Sequence, residues 1–287
     1  MSNFLKIKPA ISLLTVLLLA VTDFALSKTI TYENVPIQRA QVELTQEQLL
    51  DVGILIFDPN IPEGERELIF PEIRKAEARY IPYHLKTTLE DTGFWGGVWV
   101  LPEKSEAMDL IVAGRIDSSN GLSVAVRIGA WDITGKEWMN KVYKITVPRN
   151  AYSKQRDFTQ DPYQSLYNKI ANDLLKIKSS LSSAELKRIS EIGDLRFAAE
   201  LVPAVYRDYL EQDKEDIFFA RRLPSENDEM MTRIQNVKER EFVLVDTLNA
   251  YHNTSYSRRF WQILIGHWVR RYVCTIYNRV KTLEFSL

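Results

Sequence analysis

The hydrophobic pattern changes period several times along the chain, and those changes mark out its elements. Val52 to Phe57 (VGILIF) is an unbroken apolar run closed by Asp58-Pro59, the pattern of a short strand buried on both faces. From Pro71, apolar residues recur at helical spacing (Ile73, Ala76, Tyr80, Ile81, Leu85, Leu89) up to Gly93. This predicts a helix with proline in its first turn and a kink at Pro82. Four strand-like runs follow: Phe94 to Leu101, Leu110 to Ile116, Leu122 to Trp131 and Glu137 to Val147. Ser119-Asn120-Gly121 and Asp132-Ile133-Thr134-Gly135 separate the last three as turns. In the middle run Val124, Val126, Ile128 and Ala130 alternate with Ser123, Arg127 and Gly129, so one face meets a core.

Asp161-Pro162-Tyr163-Gln164 then reads as a helix start with an N-cap, proline at N1 and glutamine at N3. Its stripe, Tyr163, Leu166, Tyr167, Ile170, Ala171 and Leu174, predicts a helix covering an open sheet face. Residues 51–178 thus read as one α+β domain with the order β-α-β-β-β-β-α and a mixed sheet. Ser179 to Ser183 marks a boundary, and Ser182 with Glu185 forms a capping box opening another helix. Residues 179–253 read as an all-helical extension. Leu195, Ala198, Ala199, Val202, Tyr206, Tyr209 and Leu210 form one stripe, and Met230, Ile234, Val237, Leu244, Leu248 and Tyr251 form another on a second long helix.

The chain's start changes the picture of where this domain works. Lys6 and Lys8 precede an apolar core, Ile11 to Val21, and Ala25-Leu26-Ser27 supplies small residues before Lys28. That is the layout of a secretory signal peptide over 1–27, cut before Lys28; an uncleaved anchor is the competing reading. The apolar core is short for a membrane span, which takes roughly 20 residues. No cysteine near the cut allows lipid attachment. Residues 28–50 read as an extended arm, with a helical turn between Leu44 and Leu50.

Composition is that of an ordinary globular chain of 287 residues with a formal net charge of -1, which gives no reason to expect nucleic acid as a partner. Cys274 is the only cysteine, so no intramolecular disulfide forms. His84, His252 and His267 fall in three different elements with no ligand spacing, and no motif for a metal, nucleotide or activated serine occurs. The sequence therefore calls for no cofactor and no metal, and it names no catalytic residue. Carboxylates are numerous, among them Glu90, Asp91 and Asp109, but spacing alone selects no pair.

Two aromatic groups are the candidate contact residues. Trp95 and Trp99 share parity along the predicted strand, so they share a face. That face is either an exposed patch for a partner or glycan, or the surface covered by the Tyr163 helix. The segment 254–287 holds six basic residues (Arg258, Arg259, Arg270, Arg271, Arg279, Lys281) against Glu284, a net of +5, whereas 28–253 holds 29 basic and 36 acidic residues, a net of -7. Trp261, Leu264, Ile265, Trp268, Tyr272 and Ile276 fall on one helical face with the arginines largely opposite. This basic aromatic tail reads as an amphipathic helix at a membrane surface, as a stripe docked on the helical extension, or as an aberrant end of the reading frame.

The run from VGILIFDP through DLIVAGRI to GAWDITGKEW resembles a recurring bacterial envelope domain, through Asp109, Gly114 and Ile116 and through the hairpin residues Asp132 and Gly135. It is similar to the amino-terminal domain of the Tol-Pal β-propeller protein, to the curli secretion lipoprotein, and to the lipoprotein activators of peptidoglycan synthases. LRFAAELVP (195–203), ARRLP (220–224) and KEREFVLVDTLNAYH (238–252) resemble a set of uncharacterised exported proteins of proteobacteria, whose aromatic, acidic end this basic tail does not match. The resemblance implies a fold used for protein contacts and carries over no catalytic residue.

The expectation is a non-catalytic periplasmic adaptor that binds an envelope protein complex, with peripheral membrane contact through the tail. The alternative is a periplasmic hydrolase or glycan-binding protein using carboxylates near the Phe94–Val100 strand, which requires two carboxylates within about 10 Å in a cleft beside Trp95 or Trp99. A third reading is a subunit that self-associates through its long helices.

Overall fold

The computed structural model describes residues 34–61, 71–120, 122–147 and 161–250, and the backbone of 28–30. The signal-peptide reading and the basic tail, with Trp261, Trp268, Arg258, Arg259, Arg270 and Arg271, lie outside the described residues. The fold is α+β. Strands β1 (Lys28–Ile30), β2 (Val52–Leu55), β3 (Val98–Leu101), β4 (Leu110–Ser119), β5 (Ser123–Asp132) and β6 (Glu137–Thr146) form one sheet in the order β1-β6-β5-β4-β2-β3. Helices α1 (Pro71–Glu90) and α2 (Gln164–Lys178) complete the predicted β-α-β-β-β-β-α order.

The sheet is mixed because its two halves are connected differently. β2 pairs in parallel with both β3 and β4, since the α1 crossover returns the chain in the same direction. β4, β5 and β6 are antiparallel neighbours joined by tight turns. Gly135 takes φ +100 in the β5–β6 turn, a conformation glycine adopts without strain. There Asp132 Oδ1 accepts from the Thr134 and Lys136 amides, and Oδ2 accepts from Trp138 Nε1 at 2.8 Å.

Strand alternation sorts the core into two layers. Val52, Ile54, Val98, Leu110, Val112 and Ile116 face the same core as Val124, Val126, Ile128 and Ala130. α1 covers it through Ala78, Ile81, Leu85 and Leu89, and α2 through the whole predicted stripe from Tyr163 to Leu174. α1 runs through Pro82 as one helix. Trp99, Leu101 and Ile111 point to the opposite side. That side meets the second half of α3 (Ser183–Leu201), the one-turn α4 (Pro203–Tyr206), and a long helix over 229–250, here α5.

The region after residue 178 departs from its sequence reading in three ways. The capping box forms, with Ser182 and Glu185 exchanging bonds, but Leu186, Ile189 and Ile192 of α3 enter the first core, so α3 is continuous with the sheet layer. The extension is not wholly helical: Pro203 and the turns after it end the helical stripe, and β7 (Leu210–Gln212) pairs with β8 (Phe218–Ala220) as a hairpin. α5 also turns a different face inward. Ile234 and Lys238 are buried, and Met231, Phe242 and Val245 pack on the second core. Among the described residues of the predicted stripe only Ile234 is covered, and Tyr251 lies outside them. Met230, Val237, Leu244 and Leu248 are exposed.

Candidate functional site

The first residues of the parallel strands carry the most unusual chemistry of the fold. Asp51 stands one position before β2, Asp109 one before β4 and Gly97 one before β3. Backbone N–H groups at that end of a parallel ladder need acceptors, and the two carboxylates supply them. Asp109 Oδ2 accepts from the Asp51 amide and Asp51 Oδ1 accepts from the Gly97 amide, both at 2.9 Å. The Asp51 carbonyl in turn accepts from the amides of Asp109 and Leu110.

Two helices close over these acids. α3 brings Gly193 against Asp109: a methyl group there would stand 2.7 Å from Asp109 Oδ1. The next residue, Asp194, accepts from Lys238 Nζ of α5 at 3.0 Å. Lys238 is therefore the ammonium shared by Asp194, Asp109 and Asp51. Asp109 is 3 % exposed, and its Oδ1 has no hydrogen-bond partner among the described residues.

Burial dominates the electrostatics. It pushes the Asp109 carboxyl up to about 7, with Lys238 pulling the other way and Asp51 adding to the rise. It also raises Asp51, against the Gly97 amide and Lys238. Burial would lower Lys238, but Asp109, Asp194 and Asp51 outweigh it and hold the ammonium above its ordinary range. Asp109 and Lys238 are buried while Asp51 and Asp194 are half-buried, so three carboxylates share one ammonium and couple four chain segments.

Trp95 and Trp99 are not a shared face. β3 starts only at Val98, because the chain bends at Trp95-Gly96, and this breaks the parity expected from a strand beginning at Phe94. Trp95 belongs to the first core, under Lys178, whose Nζ lies 5.2 Å from the indole centroid. Trp99 belongs to the second, stacked on Phe242 of α5 at 4.2 Å. Both indoles are buried, so they form no exposed patch. The Lys178 ammonium donates to the Phe94 carbonyl, and burial pushes it down to about 8.

The remaining sequence candidates fall elsewhere. Glu90 pairs with Lys86 at the end of α1, and Asp91 lies in the turn after it. His84 lies between Tyr80 and Tyr167, with Nε2 3.9 Å from Asp161 Oδ2. Among the described residues no three His, Cys, Asp or Glu side chains are grouped to hold a metal. No described helix is long and apolar enough to cross a membrane.

Sequence reasoning named Asp109 but missed Asp51, Gly193, Asp194 and Lys238. One signal was available: Lys238 sits four residues after Ile234 and four before Phe242, a charge inside a helical apolar sector. Gly193→Ala tests the contact between α3 and the acids. The added methyl must displace Asp109 or the helix, and a loss of roughly 1–3 kcal/mol is expected in urea unfolding. A neutral or stabilising result would contradict that contact.

A family model described as LIC12162 family transferase matches residues 207–286. The match starts at the turn before β7, takes in the hairpin and α5 with Lys238, and runs on through the basic tail; it covers well under half the chain. No curated protein matches the chain.

Proposed function

We propose that this is a non-catalytic accessory protein of the bacterial envelope. It is exported to the periplasm and works by contact with an envelope protein complex, its C-terminal helical arm forming the contact-bearing part. The observation that carries this reading is the inversion of charge and apolar surface around α5. Asp109 is buried and, with Lys238, ties the helices to the sheet, while α5 leaves Val243 at 67 % and Leu244 at 60 % exposure. Exposed apolar rows of this kind are features of contact surfaces. The element order, similar to envelope domains used for protein contacts, supports the same reading. Asp51 and Asp109 do meet beside the FWGGVW segment, as a hydrolase would require, but Asp109 lies under α3 with no room beside its carboxylate for a methyl group.

A second reading, a transferase or part of one, draws on the family match alone. In this chain the matched segment leans on the rest of the fold: Ile234 and Phe242 pack in a core with Trp99 and Ile111, and Phe218 and Ala220 pack on the sheet's first core.

The test is cross-linking of the tagged chain in intact cells at native expression, followed by identification of what purifies with it. Reproducible enrichment of one envelope complex is the expected result. Recovery of the chain alone would contradict the accessory reading and make donor-substrate screening the next step.

A further inference from the structure

The amino-terminal arm is held on α2 by side chains that read only its backbone. Ser165, Asn168 and Asn172 stand three and four residues apart on α2, so they share one flank of the helix. Asn168 Nδ2 donates to the Val35 carbonyl at 2.7 Å, and Asn172 Nδ2 donates to the Pro36 carbonyl at 2.8 Å. Asn172 Oδ1 accepts from the Gln38 amide at 3.1 Å, and Ser165 Oγ accepts from the Val35 amide at 3.4 Å. In the turn after α1, the Thr92 carbonyl accepts from the Ala40 amide at 2.8 Å. Every one of these bonds ends on the main chain of the arm.

The helices set this seat by themselves. Gln164 Nε2 donates to Asn168 Oδ1 at 2.9 Å and to Thr88 Oγ1 of α1 at 3.0 Å. Those bonds leave Asn168 Nδ2 as the end facing the arm, and the arm takes no part in them. Asn168 is 8 % exposed, so its amide is built into the surface rather than waving above it.

The occupant is lightly held. No residue from 34 to 49 is buried: Val35, Ile37 and Ala40 are half-buried, and Pro36, Gln38 and Arg39 are exposed. Further along, Glu47 meets Lys187 in an exposed pair, which contributes little. Hydrogen bonds made in exchange for water stabilise modestly, while fixing an extended backbone loses entropy. β1 on β6 and Leu50 in the core hold the two ends of the arm, so the stretch between them can leave α2 without moving a core residue.

We propose that this flank of α2 is a peptide seat, filled in cis by residues 35–40 and able to exchange them for an extended segment of a partner protein. The same contacts define the segment that fits. It is extended, carries apolar side chains at alternate positions as Val35 and Ile37 do, and tolerates proline between them, where the seat uses a carbonyl and no amide. The seat lies over the first core, on the opposite side of the sheet from α5. It is therefore a second contact that goes beyond the accessory reading and does not depend on it. The tethered arm competes at high effective concentration, so an untethered peptide binds weakly until the arm is loosened.

The test measures binding of a fluorescent peptide with the sequence of residues 34–41 (NVPIQRAQ) to the full-length chain. Gln38→Pro removes the amide that Asn172 receives and leaves the seat untouched, so it should raise peptide affinity by about fivefold or more over the unmodified chain. Adding Asn172→Ala should abolish that gain. Methylating the peptide's own amide nitrogen at the position of Gln38 should weaken binding by about tenfold, whereas exchanging its arginine for alanine should change it by less than about twofold. In the unmodified chain, the Gln38 amide should exchange with solvent about a hundredfold faster than the amides of β5, because the arm opens without the sheet. Equal affinity for the unmodified and Gln38→Pro chains, binding that ignores Asn172→Ala, or equal exchange rates would each overturn the proposal. Dimers of the Gln38→Pro chain that grow with concentration would overturn it in favour of a second copy's arm as occupant.

Discussion

Replacing Lys238 with alanine is expected to destabilise the protein by roughly 3–5 kcal/mol at pH 8, the range for removing one partner of a buried charge network. Lys238 donates to Asp194 and is the ammonium facing Asp109 and Asp51. Without it, three carboxylates face one another under α3 with no cation between them. Lys238→Met keeps most of the stem's packing and should lose nearly as much, which separates charge from contact. The loss should shrink at pH 5, where Asp109 holds a proton and less negative charge needs a partner. Urea unfolding at the two pH values measures this, with the slope m unchanged if only stability has moved. A loss below about 1 kcal/mol at pH 8 would place the pair among ordinary surface ion pairs and remove the node as the tie between α5 and the sheet.

Stability should fall as pH rises from 4 to 7, and Asp109→Asn should remove much of that slope. In the folded chain Asp109 keeps its proton to about 7, whereas in the unfolded chain an aspartate releases it near 3.9. Between those values the folded state binds more protons, so raising pH favours unfolding; above 7 the contribution is constant. A difference of about three pKa units is worth on the order of 4 kcal/mol. Asp51 and Glu77 are also raised by burial and add slope of the same sign, so the variant's curve should flatten without becoming level. Asparagine retains an oxygen to accept from the Asp51 amide, so the variant should still fold. Parallel curves for the two proteins would contradict the assignment.

The part of the fold that was legible in sequence is the part whose periods are imposed locally. Val124 to Ala130 alternate because β5 has one face on α2, and the β5–β6 turn is fixed by Asp132 and Gly135 within a few residues. The misreadings arise where tertiary contacts choose between local options. α5 has apolar residues on two adjoining flanks, and the stack of Phe242 on Trp99 decides which goes inward. Asn249 adds to that choice: it accepts from the Val100 amide at 2.9 Å and donates to the Val100 carbonyl at 3.0 Å, satisfying the backbone of edge strand β3. No period announces such a bond. The charge node was hidden for a related reason, since Asp51, Asp109, Asp194 and Lys238 come from four separate stretches and each alone reads as a surface charge.

The proposed function requires that α5, tied to the sheet domain through Lys238, makes the protein's working contact. Site-specific photo-cross-linking in living cells tests this, with the photoreactive residue at Val243, exposed on α5, or at Glu72 at the exposed start of α1. One discrete envelope-protein adduct from position 243, absent from position 72 and lost with Lys238→Ala, is the predicted result. No adduct from position 243, or the same adduct from both positions, would contradict it.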